Sequence, residues 1–299
     1  MKTKYVLITP AHNEEQVIEL AIRSVISQSV LPEEWIIVDD TSTDGTGEII
    51  RKYQAQYNFI TYHQYERQEL SRGYARRAHV FLSGYKRVKA SSYSFIGGLD
   101  ADISMEPTYY ERILHEFDKN PRLGIASGVF VDKIGDRLQK VPLGANHVPG
   151  AIQLFRRECY EAIGGYIPQK YGGDDTCAEI MARMKGWQTR SFPQYKVIHY
   201  RPVGTSSGKS IPAARFYQGL TEYAVATHPL FMLAKSLHRL FVEKPRFIAA
   251  TARLAGFLYG YWLREERTIP ADVVRFVRRE QIRRLVSLSN KGMGYIVWL

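Results

Sequence analysis

The sequence predicts an α/β protein: a mostly parallel central sheet with helices on both faces, followed by a helical C-terminal region. Three observations carry this reading. Short β-rich apolar runs alternate with segments of helical period through the first two-thirds of the chain. Several of those runs end abruptly in polar clusters, as parallel strands do where they feed loops at their carboxyl ends. The last third then changes to amphipathic helices that hold nearly all the net charge.

Composition sets the frame. The chain has 299 residues, 45% apolar and 24% charged, ample for a large globular core. Its formal net charge of +11 is uneven: residues 1–208 hold 26 Lys and Arg against 24 Asp and Glu, and residues 209–299 hold 15 against 6. The division is therefore drawn there, with a sheet domain over 1–208 and a helical region over 209–299. Cys159 and Cys177 form no C-x-x-C pair, so neither a disulfide framework nor a zinc site is indicated, and a reducing, cytoplasmic setting fits. Met1-Lys2-Thr3-Lys4 leads straight into a strand, without the pattern of a signal peptide.

The elements follow in order. Tyr5–Thr9 is a β-rich run that ends in Pro10-Ala11-His12-Asn13-Glu14-Glu15. Val17, Leu20, Ala21, Val25 and Ile26 then recur at helical spacing. Trp35–Val38 is a buried strand ending in Asp39-Asp40; Thr41–Thr46 is a turn, and 47–57 a helix. Residues 59–64 form a strand, 76–90 a basic helix, and 93–99 the strand before Asp100-Ala101-Asp102. Beyond it, 107–117 is a helix, 123–131 a strand bulged at Gly128, 135–148 a polar loop, 150–155 a strand and 157–163 a short helix. Asp174-Asp175-Thr176 heads a helix that Gly186 stops, with the two acids suited to its dipole. Residues 187–193 and 196–200 are two β-like runs, the second ending in His199, and 201–213 reads as a mobile loop rich in Gly, Ser and Pro.

Asp100 and Asp102 are the first candidate site. Two carboxylates at the end of a buried strand cost several kcal/mol unless a cation neutralises them. The matching cation is a hard divalent metal, Mg2+ or Mn2+, which takes oxygen ligands and keeps positions open for phosphate. In a parallel sheet the clusters His12-Asn13-Glu14, Asp39-Asp40 and Asp100-x-Asp102 should converge on one edge. No G-x-G-x-x-G or Walker-type loop is present, which disfavours a dinucleotide fold or a P-loop enzyme.

Four motifs in this order, PAHNEE, VDDTSTDGT, GGLDAD and GGDDT…ARMKGW, resemble the family 2 glycosyltransferases of the GT-A fold. The likeness covers roughly residues 4–200. It implies that Thr9, Pro10, His12 and Glu14 line the nucleotide pocket and that Asp39 or Asp40 holds a uracil-type base. Asp100 and Asp102 would reach the diphosphate, Asp102 through the metal. Asp175 would be the general base, with Asp174 the alternative. The donor would be a nucleotide sugar, most often a UDP-sugar, and transfer would invert the anomeric centre. Such a displacement needs a carboxylate base and no protein nucleophile, and no G-x-S-x-G elbow occurs.

This chain departs from the family pattern in places. His12 replaces a Tyr, Thr41 replaces a Gly at little expected cost, and Asp174 stands where Glu is usual. Arg72 or Arg76 is a candidate diphosphate contact, with a solvated basic face as the alternative. His199 is either a structural histidine or, as in other GT-A enzymes, a further metal ligand. Arg156 and Arg157 resemble the acceptor-side segment, one of them facing phosphate or acceptor.

The C-terminal third suggests a partner. In 229–242, Leu230, Leu233, Leu237, Leu240 and Phe241 share one side. Residues 247–263 are more apolar but carry Arg253, which makes them marginal as a bilayer span. Gly256-x-x-x-Gly260 permits close helix packing. In 272–288 an apolar arc with Val273 and Val277 opposes Arg275, Arg278, Arg279 and Arg283. The expectation is peripheral attachment to an anionic membrane surface at the inner face of the cell membrane, serving a lipid-linked or saccharide acceptor. Packing on the catalytic domain or a homo-oligomer interface is the competing expectation. A polyprenyl-phosphate sugar synthase of the same fold is an alternative function. A sugar-phosphate nucleotidyltransferase is disfavoured, since PAHNEE is no Gly-rich phosphate loop. Nucleic acid is not expected, because the arginines lie on apolar helices rather than a stacking sheet.

Overall fold

The computed structural model describes residues 4–66, 75–141, 147–201, 210–242 and 246–289. Its centre is a nine-stranded sheet in the order β3-β2-β1-β4-β8-β6-β9-β5, with β7 paired to β6. The strands are β1 (Tyr5–Ala11), β2 (Glu34–Asp39), β3 (Ile60–Gln64), β4 (Phe95–Gly98), β5 (Ile103–Met105), β6 (Leu123–Ile134), β7 (Arg137–Lys140), β8 (Leu154–Arg156) and β9 (Gln188–His199). β3, β2, β1 and β4 run parallel, as does β9 with β6, while β8 is antiparallel to both β4 and β6. This mostly parallel sheet, helix-covered on both faces, is the GT-A architecture.

Alternation along each strand divides the core between the two faces. Tyr5, Leu7, Trp35 and Ile37 point to the face covered by α1 (Ile18–Ile26), α2 (Thr46–Gln54) and α4 (Tyr109–Lys119). Val6, Ile8, Ile36 and Val38 point to the other, under α3 (Ala75–Tyr85), α5 (Arg157–Ala162) and α6 (Asp174–Met184). Strands buried on both faces read as continuous apolar runs, which is why β1 and β2 stand out in the sequence.

Four local expectations are corrected. The polar segment after 135 contains β7, which closes a hairpin on the end of β6. Residues Gly150–Ile152 form a 3-10 turn, and only Leu154–Arg156 is strand. The two β-like runs before 200 are one strand, β9, whose irregular pairing between Ser191 and Lys196 contains Pro193. Opposite it the expected bulge occurs at Gly128, where any Cβ would sit 2.1 Å from the Tyr195 carbonyl oxygen. Finally, α7 (Ile211–Ala224) begins inside the expected loop, and residues 202–209 lie outside those described. Pro212 sits in the first turn of α7, where its missing N–H costs nothing.

The C-terminal helices are α7, α8 (Pro229–Val242), α9 (Arg246–Leu263) and α10 (Ala271–Ser289). α9 crosses α7 at close range: a Cβ on Gly256 would lie 2.0 Å from the Phe216 carbonyl oxygen, and Gly260 abuts the Tyr223 ring. The glycine spacing read for close packing does that here. α10 is different from expectation. Its apolar arc is not free for a membrane, because Val273 and Val277 are buried in the core shared with α6. Arg183 of α6 also donates to Glu280 of α10 at 2.8 and 3.2 Å.

Candidate functional site

The carboxyl ends of β1, β2 and β4 lie side by side, so the three polar clusters meet. β1 pairs with β2 as far as Ala11 opposite Asp39, and with β4 as far as Ile8 opposite Gly98. The loops that follow clasp each other. Asn13 N–H donates to Ser42 Oγ at 3.0 Å, Thr43 N–H to Asn13 Oδ1 at 2.8 Å, and Glu14 N–H to Thr46 Oγ1 at 2.7 Å. Asn13 and Thr41 both adopt left-handed backbone conformations, with φ of 54° and 55°. For a β-branched residue that conformation is costly, about 1–2 kcal/mol. Thr41 in place of Gly is therefore not the cheap exchange it looked in sequence.

A cavity of about 730 Å³ opens between these loops and α6. Pro10, His12, Glu14, Asp40, Asp100, Asp102 and His199 line it on the sheet side, and Asp174 and Asp175 of α6 line it opposite. Two expected members do not reach it. Thr9 is buried and accepts a hydrogen bond from Trp35 Nε1 at 2.9 Å. Asp39 accepts from Ser42 N–H and Tyr62 Oη, each at 2.9 Å, so it shapes the turn under Asp40. Arg72 lies outside the described residues.

Arginines hold the carboxylates apart. Arg76 pairs with Asp40, and His12 Nδ1 lies 2.7 Å from the Asp40 carbonyl oxygen. Arg77 bridges two motifs: Nε reaches Asp100 Oδ1 at 3.0 Å, Nη1 reaches Asp174 Oδ2 at 3.1 Å, and Nη2 donates to the Gly150 carbonyl. Arg201 spans Glu14 and Asp102, with Nε 3.0 Å from Asp102 Oδ2. Sequence reading missed the roles of Arg77 and Arg201, because no local pattern pairs side chains so far apart in the chain.

The electrostatics follow from burial. Burial lifts Glu14 to about 7 against the opposing Arg201 charge, and the Asp102 and Asp100 charges reinforce the rise. Asp102 is likewise raised by burial and by Asp100, opposed by His199 and Arg201. Both carboxylates want more positive charge than the protein supplies. Glu14 Oε2 is buried without a hydrogen-bond partner.

Two residues fit a divalent ion. His199 Nε2 is 3.5 Å from Asp102 Oδ2, and its Nδ1 is 2.8 Å from Asp132 Oδ1. A carboxylate holding Nδ1–H leaves Nε2 as the ligating lone pair, the usual arrangement behind a metal-bound imidazole. Among the described residues no three His, Cys, Asp or Glu side chains form a complete metal cage. Two protein ligands with the other positions open suit an ion that also takes phosphate oxygens.

Asp174 and Asp175 separate clearly. α6 starts after Gly173, whose φ of 94° turns the chain; neither acid occupies the N-cap position, and both lie in the first turn. Asp174 is buried against Arg77, and burial raises its carboxyl despite that charge. Asp175 is half-buried on the cavity wall; its Oδ2 accepts from Gly150 N–H at 3.1 Å and its Oδ1 from Thr176 N–H at 2.7 Å. Beside it His147, also on the wall, lies 3.0 Å from Glu179. Burial works against its proton, but the Glu179 charge and hydrogen bond, with Asp175, push it up to about 9. Arg156, the last residue of β8, and Arg157, the first of α5, do not line the cavity. Arg156 donates to the Leu123 and Phe117 carbonyls, and Arg157 pairs with Glu161 at 2.7 Å.

Comparison with known proteins agrees with this architecture. The family model for glycosyl transferase family 2 matches residues 6–169. The poly-beta-1,6-N-acetyl-D-glucosamine synthase of Staphylococcus epidermidis is 26% identical over 210 residues, 64% of this chain and 46% of its own length. The synthase of that name from Staphylococcus aureus strain COL is 29% identical over 203 residues, 61% of this chain and 46% of its own. The chain thus spans about half the length of the curated relatives it matches. Among solved structures, mannosyltransferase PcManGT from Pyrobaculum calidifontis, in complex with GDP-Man and Mn2+, superposes with a TM-score of 0.57 at 18% identity, covering 99% of this chain and 78% of that one. S. aureus TarS 1–349 in complex with UDP-GlcNAc gives 0.59 at 15% identity, covering 98% and 93%. A family model that spans more than half of a chain with this sheet establishes membership: the chain belongs to glycosyl transferase family 2.

Proposed function

We propose that this glycosyltransferase moves a sugar from a UDP-sugar, with N-acetylglucosamine the best-supported sugar, to a hydroxyl of a lipid-linked or saccharide acceptor, inverting the anomeric centre. The observation that carries the reading is the convergence of Asp40, Asp100, Asp102 and Asp175 on one cavity large enough for a nucleotide sugar. The relatives named for N-acetylglucosamine polymers and the TarS complex with UDP-GlcNAc support the choice of donor.

The residues divide the work along the cavity. Asp40 Oδ1 is buried without a hydrogen-bond partner, and the imide N–H of uracil would satisfy it. Asp102 and His199 would hold Mn2+ or Mg2+, and Arg201 would have to leave Asp102 as the ion enters. Lewis-acid stabilisation of charge on the departing diphosphate is the chemistry such an ion supplies. Arg77 fixes Asp100 against Asp174, so the diphosphate end and the base end keep a constant separation. Asp175 would accept the acceptor hydroxyl's proton as the oxygen attacks the anomeric carbon opposite the leaving group.

Glu14 links donor loading to pH. Its folded value, about 7, lies above the ordinary 4.5. Between these values the native protein holds a proton that the unfolded chain has lost, so stability falls as pH rises through that window. A divalent cation nearby favours the carboxylate. Mn2+ with UDP is therefore expected to raise the melting temperature more above pH 7 than below pH 6, and Glu14→Gln to reduce the difference, leaving the part that Asp102 contributes. A panel of nucleotide sugars in the same thermal-shift assay tests the donor; a flat response to every UDP-sugar with Mn2+ would refute the reading.

One observation favours the polyprenyl-phosphate alternative. His147 presents positive charge beside Asp175, where a phosphate-bearing acceptor would approach. An acceptor phosphate is already ionised, however, and would give Asp175 no proton to take. His147→Gln separates the two readings. It should raise KM about tenfold for a phosphorylated acceptor, and leave KM for a neutral saccharide unchanged.

A further inference from the structure

We infer that the outer faces of α8 and α9 form a docking surface for an anionic lipid bilayer. α8 turns Leu230, Leu233, Leu237 and Phe241 outward, at intervals of three and four residues, while Phe231, Met232 and Ser236 face inward. Phe241 is 76% exposed. On α9 the inner face, through Arg253, Gly256 and Gly260, is spent on α7. Its outer face shows Ile248, Leu258, Tyr259 and Trp262, the last 74% exposed. A continuous apolar stripe on α8 beside exposed apolar groups at both ends of α9 marks an interaction surface rather than scattered exposure.

The chemistry of the surroundings selects lipid over protein. The C-terminal end of α9 gathers Tyr259, Tyr261 and Trp262, amphipathic rings of the kind that sit at headgroup level. Arg278 of α10 donates to Tyr261 Oη at 3.1 Å, which ties the arginine-bearing face of α10 to this end of α9, while Arg267 is turned inward over the buried Tyr223 ring. Residues 209–299 carry 15 Lys and Arg against 6 Asp and Glu. Lys235 is paired with Glu222 and Arg253 is buried, so the excess is carried by the surrounding region, through exposed Arg264, Arg275, Arg279 and Arg283. It draws that region toward an anionic bilayer and away from a second copy of itself. Among the described residues no helix is long and apolar enough to cross a membrane, so this surface lies in the interface rather than spanning it. α10 takes no part through its apolar arc, which the catalytic core covers.

The placement also serves the site. The helix beneath α9 is α7, and α7 carries Gln218 and Thr221 on the wall of the donor cavity. Docking would hold that cavity two helix layers from the lipid, within reach of a lipid-linked acceptor. This last consequence rests on the proposed function; the docking itself does not.

The test uses the full chain with phosphatidylcholine vesicles, with and without phosphatidylglycerol, and no donor. Flotation should show binding to the anionic vesicles at least about tenfold stronger than to the neutral ones. The triple variant Leu237→Glu, Phe241→Glu, Trp262→Glu should lose it while retaining the UDP-dependent thermal shift. Brominated lipid should quench tryptophan fluorescence in the parent and not in Trp262→Phe, a change that leaves the fold intact. Absence of binding to either vesicle, binding that the triple variant preserves, or a solution dimer that it dissociates would each overturn the inference. Donor binding that survives such a failure would leave the enzymatic reading standing.

Discussion

Asp102→Ala is expected to lower sugar transfer by about 10³-fold, the scale of removing a principal electrostatic stabiliser of a developing charge. The carboxylate lies just past the end of β4, is 6% exposed, and shares its surroundings with His199. Among the described residues the neighbouring carboxylates are Asp100, which Arg77 engages, and Glu14, which shares Arg201 with Asp102. Fold and loss of function are separable here. Arg201, the partner left behind, is 40% exposed at its side chain and can turn to water. The buried acid itself is held in a state it resists, its carboxyl raised by burial and by Asp100. The variant should therefore melt within a few degrees of the parent while losing the Mn2+-dependent part of the UDP thermal shift. Wild-type transfer by Asp102→Ala would sink both the metal reading and the assignment of this cavity as the donor site.

How far the sequence could be read depends on the range of the interactions involved. The ends of β1, β2 and β4 are legible because burial on both sheet faces forces an apolar run, and the polar residue that ends it marks the mouth of the sheet. Glu14, Asp40, Asp100 and Asp102 were placed by that logic, and the structure brings them onto one cavity. Thr9 and Asp39 show its limit. Strand alternation turns one residue of each pair inward, and Trp35 and Tyr62 claim these two. α7 was hidden by Pro212, which reads as a loop residue unless the helix start before it is recognised. Arg77, Arg201 and His147 were invisible for a stronger reason. Arg201 and Glu14 are 187 residues apart, and only the assembled fold brings them together. The fate of α10 has the same origin: an amphipathic pattern shows that a face needs covering, not whether lipid or protein covers it.

The second large effect divides the acidic pair at the head of α6. Asp175→Asn is expected to reduce kcat by 10² to 10⁴, roughly the contribution of a positioned general base, with KM for the donor nearly unchanged. Asparagine has one acceptor oxygen for the two N–H donors, Gly150 and Thr176, so it keeps one of these hydrogen bonds and loses the other, and the melting temperature of the variant is read alongside its kcat. Asp174→Asn should fail in a different way. Arg77 would lose a buried partner and keep only Asp100 and the Gly150 carbonyl. Removing one member of a buried pair typically costs about 3–5 kcal/mol, because the remaining charge stays desolvated. The Asp174 variant is thus expected to show a lowered melting temperature, and its activity at low temperature should partly survive. The discriminating measurement is kcat against pH on each purified variant, at a temperature where both are folded. If Asp175 is the base, Asp174→Asn retains the acidic limb of the profile, and Asp175→Asn flattens it. The reverse pattern would move the base to Asp174, and would require Arg77 to release that carboxylate before each transfer.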